Sequence, residues 1–529
     1  MRKIQLRSLL APACSLVLAA FYATAPAADV RQQPDPYAKQ IHPASLEAKE
    51  AIAKFKVPQG FKVDLYAAEP QVVNPVVLRV DGKDNVYVIE TFRHTSNVLD
   101  IREHMNWLNE DIGLRTVQGR LDLLRKEMGP KFATMTKDTD RVRMLEDPHH
   151  IGHATQATIF ATGFNSAEAG IAAGILPFQG NVYFADIPGL YLLKDTNGDG
   201  VADVRKELIT GFGVHISFLG HDLHGLRVGP DHKLYFSIGD RGTNAKSLID
   251  GSSVDLPGTG AVFRCNLDGS HFETFAYGLR NPQQLVFDDE GNLFAGDNNP
   301  DYGDPARWVY VVEGGDSGWR ESYQSARLHQ GGGPWMWEQL YQEKEKLHDA
   351  AYMIPPIAHL GAGPSDVAYY PGTGMSDKWN GHFFMVDFRG GSVQSRTHTF
   401  KMQEHGATFE LVDHEDFLRG MLATGMDFST HGGIYFCDWV EGWNKPFKGR
   451  VYHVYEPSSE RETAVVETGK LLAEGFEQRA ADELGKLLAN PDIRVRQEAQ
   501  FALADKGESS LPLFVQIAQH SDNRHARFH

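Results

Sequence analysis

Two residues stand in matching places ahead of similar strands and could act together. His221, near the start of GHDLHGLRVGPDHKLYFSIGDRGTN (220–244), lies fourteen residues before Tyr235. Arg280, in GLRNPQQLVF, lies fourteen residues before Phe294 of the similar stretch NLFAGD. An imidazole exchanges a proton near neutral pH, and a guanidinium holds an anion with a rigid fork of donors. If a repeating fold brings both to one place, the pair suits proton abstraction beside an anion. His224 falls within the following strand and reads as structural. His149, His150 and His153 share a polar connection, but H-x-x-H spacing there is too weak a pattern to imply a metal.

A second pattern points to a hard cation. In KDTNGDGVAD (194–203), Asp195, Asn197, Asp199 and Asp203 occupy positions 1, 3, 5 and 9, and Gly200 position 6. Calcium wants six to eight oxygens, which alternating Asp and Asn on a tight loop supply, with the Val201 carbonyl as a further donor. Position 12 is Lys206 and not glutamate, so a calcium loop in a β-hairpin, with a structural role, is expected rather than a helical EF-hand. The stretch GDNNPDYGD (296–304) offers Asp297, Asn298, Asn299, Asp301 and Asp304 to a second cation. Arg389, in VDFRGGSV, follows another strand-ending acid and is placed to face the same channel.

What must position these residues is a repeat. A short alternating strand ending in an acid recurs as NVYVIE (85–90), NVYFAD (181–186), KLYFSIGD (233–240), NLFAGD (292–297), HFFMVD (382–387) and GIYFCD (433–438). A Gly- or Asp-rich turn and an earlier strand precede most copies, as in antiparallel hairpins. Six copies predict an all-β six-bladed propeller over 55–458. In such a fold, loops entering the innermost strands meet at the central channel. Helical periodicity marks insertions at about 92–150 and 320–355, placed to cover one mouth. The Trp and Tyr residues of 335–341 read as packing. Residues 28–54 read as a lead-in. From 459 to 529 amphipathic helices take over, and ADELGKLLANPDIRVRQEAQFALADKG (481–507) suggests a HEAT-like helical pair.

Composition narrows the class. A chain of 529 residues with net charge −17 is not built to bind nucleic acid or anionic lipid. Residues 1–27 read as a signal peptide, with Arg2, Lys3 and Arg7 ahead of an apolar run and an Ala25-Pro26-Ala27 cleavage site. A periplasmic or secreted protein without a membrane span in the mature chain is expected. Cys265 and Cys437 then remain, and one disulfide between them is open. No C-x-x-C-H, Rossmann or P-loop motif occurs.

The ordered motifs GHDLHGLRVGPDHKLYFSIGDRGTN, GLRNPQQLVFDDEGNLFAGDNNPDYGD and EGGDSGWR (313–320) resemble the soluble quinoprotein glucose/sorbosone dehydrogenases. The match is specific over about 210–320 and looser over about 55–455. The whole arrangement is similar to a "membrane-bound dehydrogenase" group of planctomycetes and verrucomicrobia. That group joins such a propeller to HEAT repeats and often to a cytochrome domain. The resemblance implies a six-bladed propeller that binds pyrroloquinoline quinone (PQQ) and calcium. It implies His221 as catalytic base and Arg280 facing the quinone oxygens. It places further cofactor contacts on Asn281 of the R-N-P-Q motif and on Arg389, and cofactor-calcium carbonyls on Asn299 and Pro300. The arginines of the family's last blade are missing from LATGMDFSTHGG, which leaves Arg419 as the candidate replacement.

The implied activity is oxidation of a sugar or related alcohol, with electrons passed to a separate acceptor such as a cytochrome c. The alternatives are a non-catalytic, calcium-stabilised scaffold for glycans or protein partners, and a calcium-dependent hydrolase of the lactonase type.

Overall fold

The computed structural model describes residues 35–299, 304–322, 354–459 and 462–529. The expected leader (1–27), Pro300 and most of the 320–355 insertion lie outside the described residues. Six antiparallel sheets follow one another in a ring, so the six-bladed propeller is the observed fold. The innermost strands are Pro75–Val80, Gly174–Phe178, Leu223–Val228, Pro282–Phe287, Pro364–Tyr369 and Ala423–Phe428. Each of the six sequence repeats is the second strand of a blade. The N-terminal strand Lys62–Ala68 closes the ring as the outermost strand of blade six, pairing with Arg450–Tyr455. Blade two gains an extra hairpin, Thr243–Ser247 and Ser253–Leu256, from the connection within blade three.

The second strands are buried on both faces because blades pack face to face. Leu234–Ile238 is buried throughout, and Phe236 packs with Phe212, Phe263 and Phe272 between blades two and three. The two cysteines among the described residues are free and buried, Cys265 in blade three and Cys437 in blade six, so the open disulfide does not form.

The acid that ends each repeat has a positional task. Glu90 accepts the Val73 N–H at 2.9 Å, and Asp186 the Gly170 N–H at 3.2 Å. Asp297 accepts the Arg280 and Asn281 N–H groups, Asp387 those of Ala362 and Gly363, and Asp438 that of Leu422. These amides belong to the loops that lead into the inner strands. A buried N–H must find an acceptor, and here each blade's second strand supplies it. Blade three departs from this pattern, as described below.

The far end of the channel is covered. The helix Ile493–Asp505 lies across the turns that link first to second strands. The Ile493 N–H donates to the Pro371 carbonyl at 2.8 Å, and Arg494 donates to the Phe428 and Ser429 carbonyls. Gln497 and Gln500 donate to the Val228 and Pro230 carbonyls, and Arg496 pairs with Asp289. Phe501 stacks on His232 at 4.0 Å, and Glu498 accepts from Gln179. One helix thus touches blades two to six. The helix Thr463–Glu474 takes blade one, with the Leu472 carbonyl set against Gly82. Above this cover, Arg79 of blade one crosses the channel. Its guanidinium donates twice to Asp366 of blade five (2.8 and 2.9 Å), and also to Gln284 of blade four and the Met426 carbonyl of blade six.

Candidate active site at the open mouth

A cavity of about 700 Å³ opens at the other end of the channel. It is walled by the loops entering the inner strands and by those joining second to third strands. His221, Arg280, Asn281, Asn299 and Arg389 all line it, so the structure brings these residues together. The fourteen-residue correspondence holds in three dimensions. Arg227 pairs with Tyr235 as Val286 pairs with Phe294, and each inner strand carries its irregularity at the same point. His221 and Arg280 each lie two residues before their inner strand.

In blade three the strand-ending acid, Asp240, does not cap the entering loop's backbone. It accepts His221 Nδ1 at 2.7 Å and the Ser217 hydroxyl at 3.0 Å on one oxygen, and the Trp319 indole N–H at 3.0 Å on the other. All four residues are buried. Burial alone would raise the Asp240 pKa. The His221 ring and its hydrogen bond, with Arg280 and Trp319, outweigh that and hold the carboxyl below the ordinary carboxylate range. With Nδ1–H committed to Asp240, the His221 Nε2 lone pair is left for a ligand. The Arg280 guanidinium lies over Phe218 at 5.4 Å and Trp319 at 5.9 Å, two rings that also border His221 and Asp240.

The insertion after blade one's second strand holds this base-bearing loop in place. The short helix Leu108–Asp111 ends on a buried carboxylate that accepts the Ile216 and Ser217 N–H groups. Asp100 accepts the Leu219 N–H, and the Ile101 N–H donates to the Ser217 carbonyl. The segment with helical periodicity therefore braces the loop that carries His221. Its one long helix is Val117–Met128, and NVLDIREHMNWLNE folds as short 3₁₀ and α turns.

His224 is held between Ser237 Oγ (3.2 Å) and Asn281 Oδ1 (3.0 Å). Burial drives its pKa down to about 3, against the Asn281 hydrogen bond, so the ring stays neutral. The Asn281 amide also donates to the Gly220 carbonyl at 3.3 Å and so ties the His221 loop to blade four. The Asn299 side chain donates to the Asp304 carbonyl at 2.9 Å. Arg389 is held by Asp387 at 2.6 Å.

Arg419 does not reach the cavity. It ends the outer strand of blade five and pairs with Asp416. Blade six instead offers the indoles of Trp439 and Trp443, and blade one offers His94 and Arg102. Sequence reasoning missed these four. They sit on connections that follow a repeat, where neither the strand alternation nor the helical periodicity of the 92–150 insertion indicates which side chains reach the cavity.

The 195–203 loop joins the third and fourth strands of blade two, at the end of the molecule away from the cavity. Its oxygens are turned onto its own backbone. Asp195 accepts the Gly198 and Gly200 N–H groups at 2.8 and 2.7 Å, Asn197 accepts that of Asp199, and Asp199 that of Val201. Asp203 accepts the Thr196 hydroxyl at 2.7 Å. Among the described residues no group of three or more His, Cys, Asp or Glu side chains converges as a metal site.

Comparison with known proteins gives three results. A family model described as a domain of unknown function (DUF7133) matches residues 47–430. Quinoprotein glucose dehydrogenase B of Acinetobacter calcoaceticus is 32% identical over 126 residues, 19% of this chain and 26% of that protein. The chain thus spans about a quarter of that relative's length. Among solved structures, the PQQ-bound form of aldose sugar dehydrogenase from Streptomyces coelicolor aligns at TM-score 0.41 and 14% identity, over 75% of this chain and all of that one. The holo pyranose dehydrogenase PQQ domain of Coprinopsis cinerea aligns at TM-score 0.44 and 11% identity, over 76% and 97%.

Proposed function

The chain belongs to the DUF7133 family, and we propose that it is an oxidoreductase that dehydrogenates a sugar or related alcohol at His221, with PQQ as cofactor. The observation that carries this reading is Asp240. The acids of the other five blades accept loop amides, whereas this one holds an imidazole beside a cavity. His221 Nε2 takes the hydroxyl proton of the bound alcohol as its carbon is oxidised. The imidazolium so formed is stabilised by the ionised Asp240. Arg280 places a positive charge beside the oxygen that gives up the proton. Trp319 and Phe218 keep water from the pair.

PQQ, when bound, supplies the two-electron acceptor for the substrate's hydride. Arg102, Arg280 and Arg389 line the cavity beside Asp100, Glu103 and Asp222, with Arg102 and Arg389 bound to Asp100 and Asp387. A ligand with several carboxylates would be met by guanidiniums that share their charge with these acids, and Asn281 and Asn299 add polar groups. Blade six contributes indoles where the resembling family has arginines, so the anion-binding side is the one formed by blades one, four and five.

The 32% identity to the Acinetobacter protein supports the dehydrogenase reading over its matched segment. Calcium is proposed for the 195–203 loop, where binding would draw Asp203 away from Thr196. The C-terminal helices are proposed as a HEAT-like pair whose place here is to close the channel. Export through the 1–27 leader and electron transfer to a separate carrier such as a cytochrome c complete the proposal. No helix among the described residues is long and apolar enough to cross a membrane.

The test is reconstitution. Purified protein with PQQ and calcium is expected to reduce an artificial dye in the presence of at least one sugar of a broad panel. Calcium alone is expected to raise the melting temperature, and Asp199→Ala to remove that rise. No dye reduction with any sugar would overturn the activity. No calcium-dependent shift would overturn the loop assignment alone.

A further inference from the structure

One wall of the cavity has no part in the proton-transfer chemistry. It is formed by Trp439 and Trp443, on the connection after blade six's second strand, with Phe388 from the same connection in blade five. Trp439 is buried, and its indole N–H has no hydrogen-bond partner among the described residues. His94 meets Trp439 edge-on at 5.7 Å, and its buried Nδ1 also lacks a partner among them. Burial pushes the His94 pKa down to about 4, so this ring too is neutral. The Ser365 hydroxyl, on the cavity floor, is a third such group. Buried polar atoms without partners are costly, and these three belong to residues that line the cavity, so small side-chain adjustments would let a hydroxyl-bearing ligand pair with them.

Trp443 is different. It is 64% exposed, at the rim. Its edge rests on Phe388 at 5.1 Å with the rings nearly perpendicular. Beneath it lies Gly390, at φ +70°, where an added Cβ would fall 2.2 Å from the indole nitrogen. A glycine is needed there for the ring to lie against the backbone. One side of the indole is thus braced by the blade-five loop, and the ring is still largely open to solvent. An aromatic face offered this way suits the apolar C–H face of a sugar ring, with donors and acceptors deeper in the cavity for its hydroxyls. Trp439 and Trp443 line the same cavity, one buried and one at the rim, so a ligand stacked on Trp443 lies at the mouth, where a further unit can extend into solvent.

We propose that Trp443 is the stacking platform of an outer sugar subsite, and that the substrate is the end of an oligosaccharide whose terminal unit enters between His94 and Trp439. This rests on the sugar-dehydrogenase reading above and names its substrate class.

Calorimetric titration of the protein without added cofactor tests it, using glucose, maltotriose, cellotriose and xylotriose. At least one trisaccharide is expected to bind about tenfold tighter than glucose. Trp443→Ala should bring that ratio close to one, and Trp443→Phe should restore part of it. Equal binding of glucose and every trisaccharide, binding of none, or a preference that survives Trp443→Ala would each overturn the subsite. The two proposals fail separately. Trp443-dependent trisaccharide binding without dye reduction upholds the subsite and removes the dehydrogenase.

Discussion

His221→Ala is expected to lower dye reduction by the reconstituted protein by about 10²–10⁴-fold, the range over which a positioned general base acts. The protein should still fold. Asp240 keeps the Ser217 hydroxyl and the Trp319 indole as partners, so the acid is not stranded when the imidazole goes. The loop itself is held by Asp100 and Asp111, which do not depend on the His221 side chain. Steady-state rates and a thermal melt of the same sample separate the two effects. Unchanged turnover would show that His221 is not the base. His224→Ala is the internal control for chemistry. That ring is spent on Ser237 and Asn281, so its loss should act through stability and loop placement.

The second large effect concerns the fold. Arg79→Ala should destabilise the protein by about 3–5 kcal/mol, because it leaves the buried Asp366 carboxylate without its counter-charge. The side chains of the pair are 2% and 0% exposed, and the Asp366 charge draws the Arg79 pKa upward despite burial. Asp366 retains the Val367 and Met426 N–H groups, which places the loss toward the lower end of that range. Arg79 also ties blade one to blades four and six across the channel, so its removal loosens the ring and not one sheet alone. Denaturant unfolding gives the number. Replacing both partners by apolar residues of similar volume should recover most of it, since the penalty comes from the unpaired charge. A single mutant as stable as the parent would mean that the bridge does not brace the ring.

Much of this architecture is legible in the residue pattern. The six acid-ended strands mark the six second strands because alternation and turn chemistry are local properties. The His221 and Arg280 correspondence survived folding because both inner strands carry their irregularity at the same position. What the acids do was not legible. Six similar residues read as strand ends, and only three-dimensional placement shows five accepting loop amides and one accepting an imidazole. Arg419 failed as a cavity residue because nearness in sequence to blade six says nothing of which strand it ends. The oxygens at 195–203 have the right spacing for calcium, and the turns they make onto the loop's own amides are a three-dimensional detail that spacing does not specify. The C-terminal helices show their apolar stripe in sequence. Their seat is made of backbone carbonyls at Pro371, Phe428, Val228 and Pro230, and no side-chain pattern announces those.

Catalysis by His221 depends most on Asp240 serving the imidazole instead of the backbone. The most direct measurement is turnover and unfolding of Asp240→Asn. The amide keeps the size of the side chain but neither fixes the His221 tautomer reliably nor balances the imidazolium. Turnover is expected to fall by at least about 100-fold while unfolding stays cooperative and close to that of the parent. Parental turnover in a protein that has lost its fold stability would contradict it, for then Asp240 would be one more acid holding the ring together.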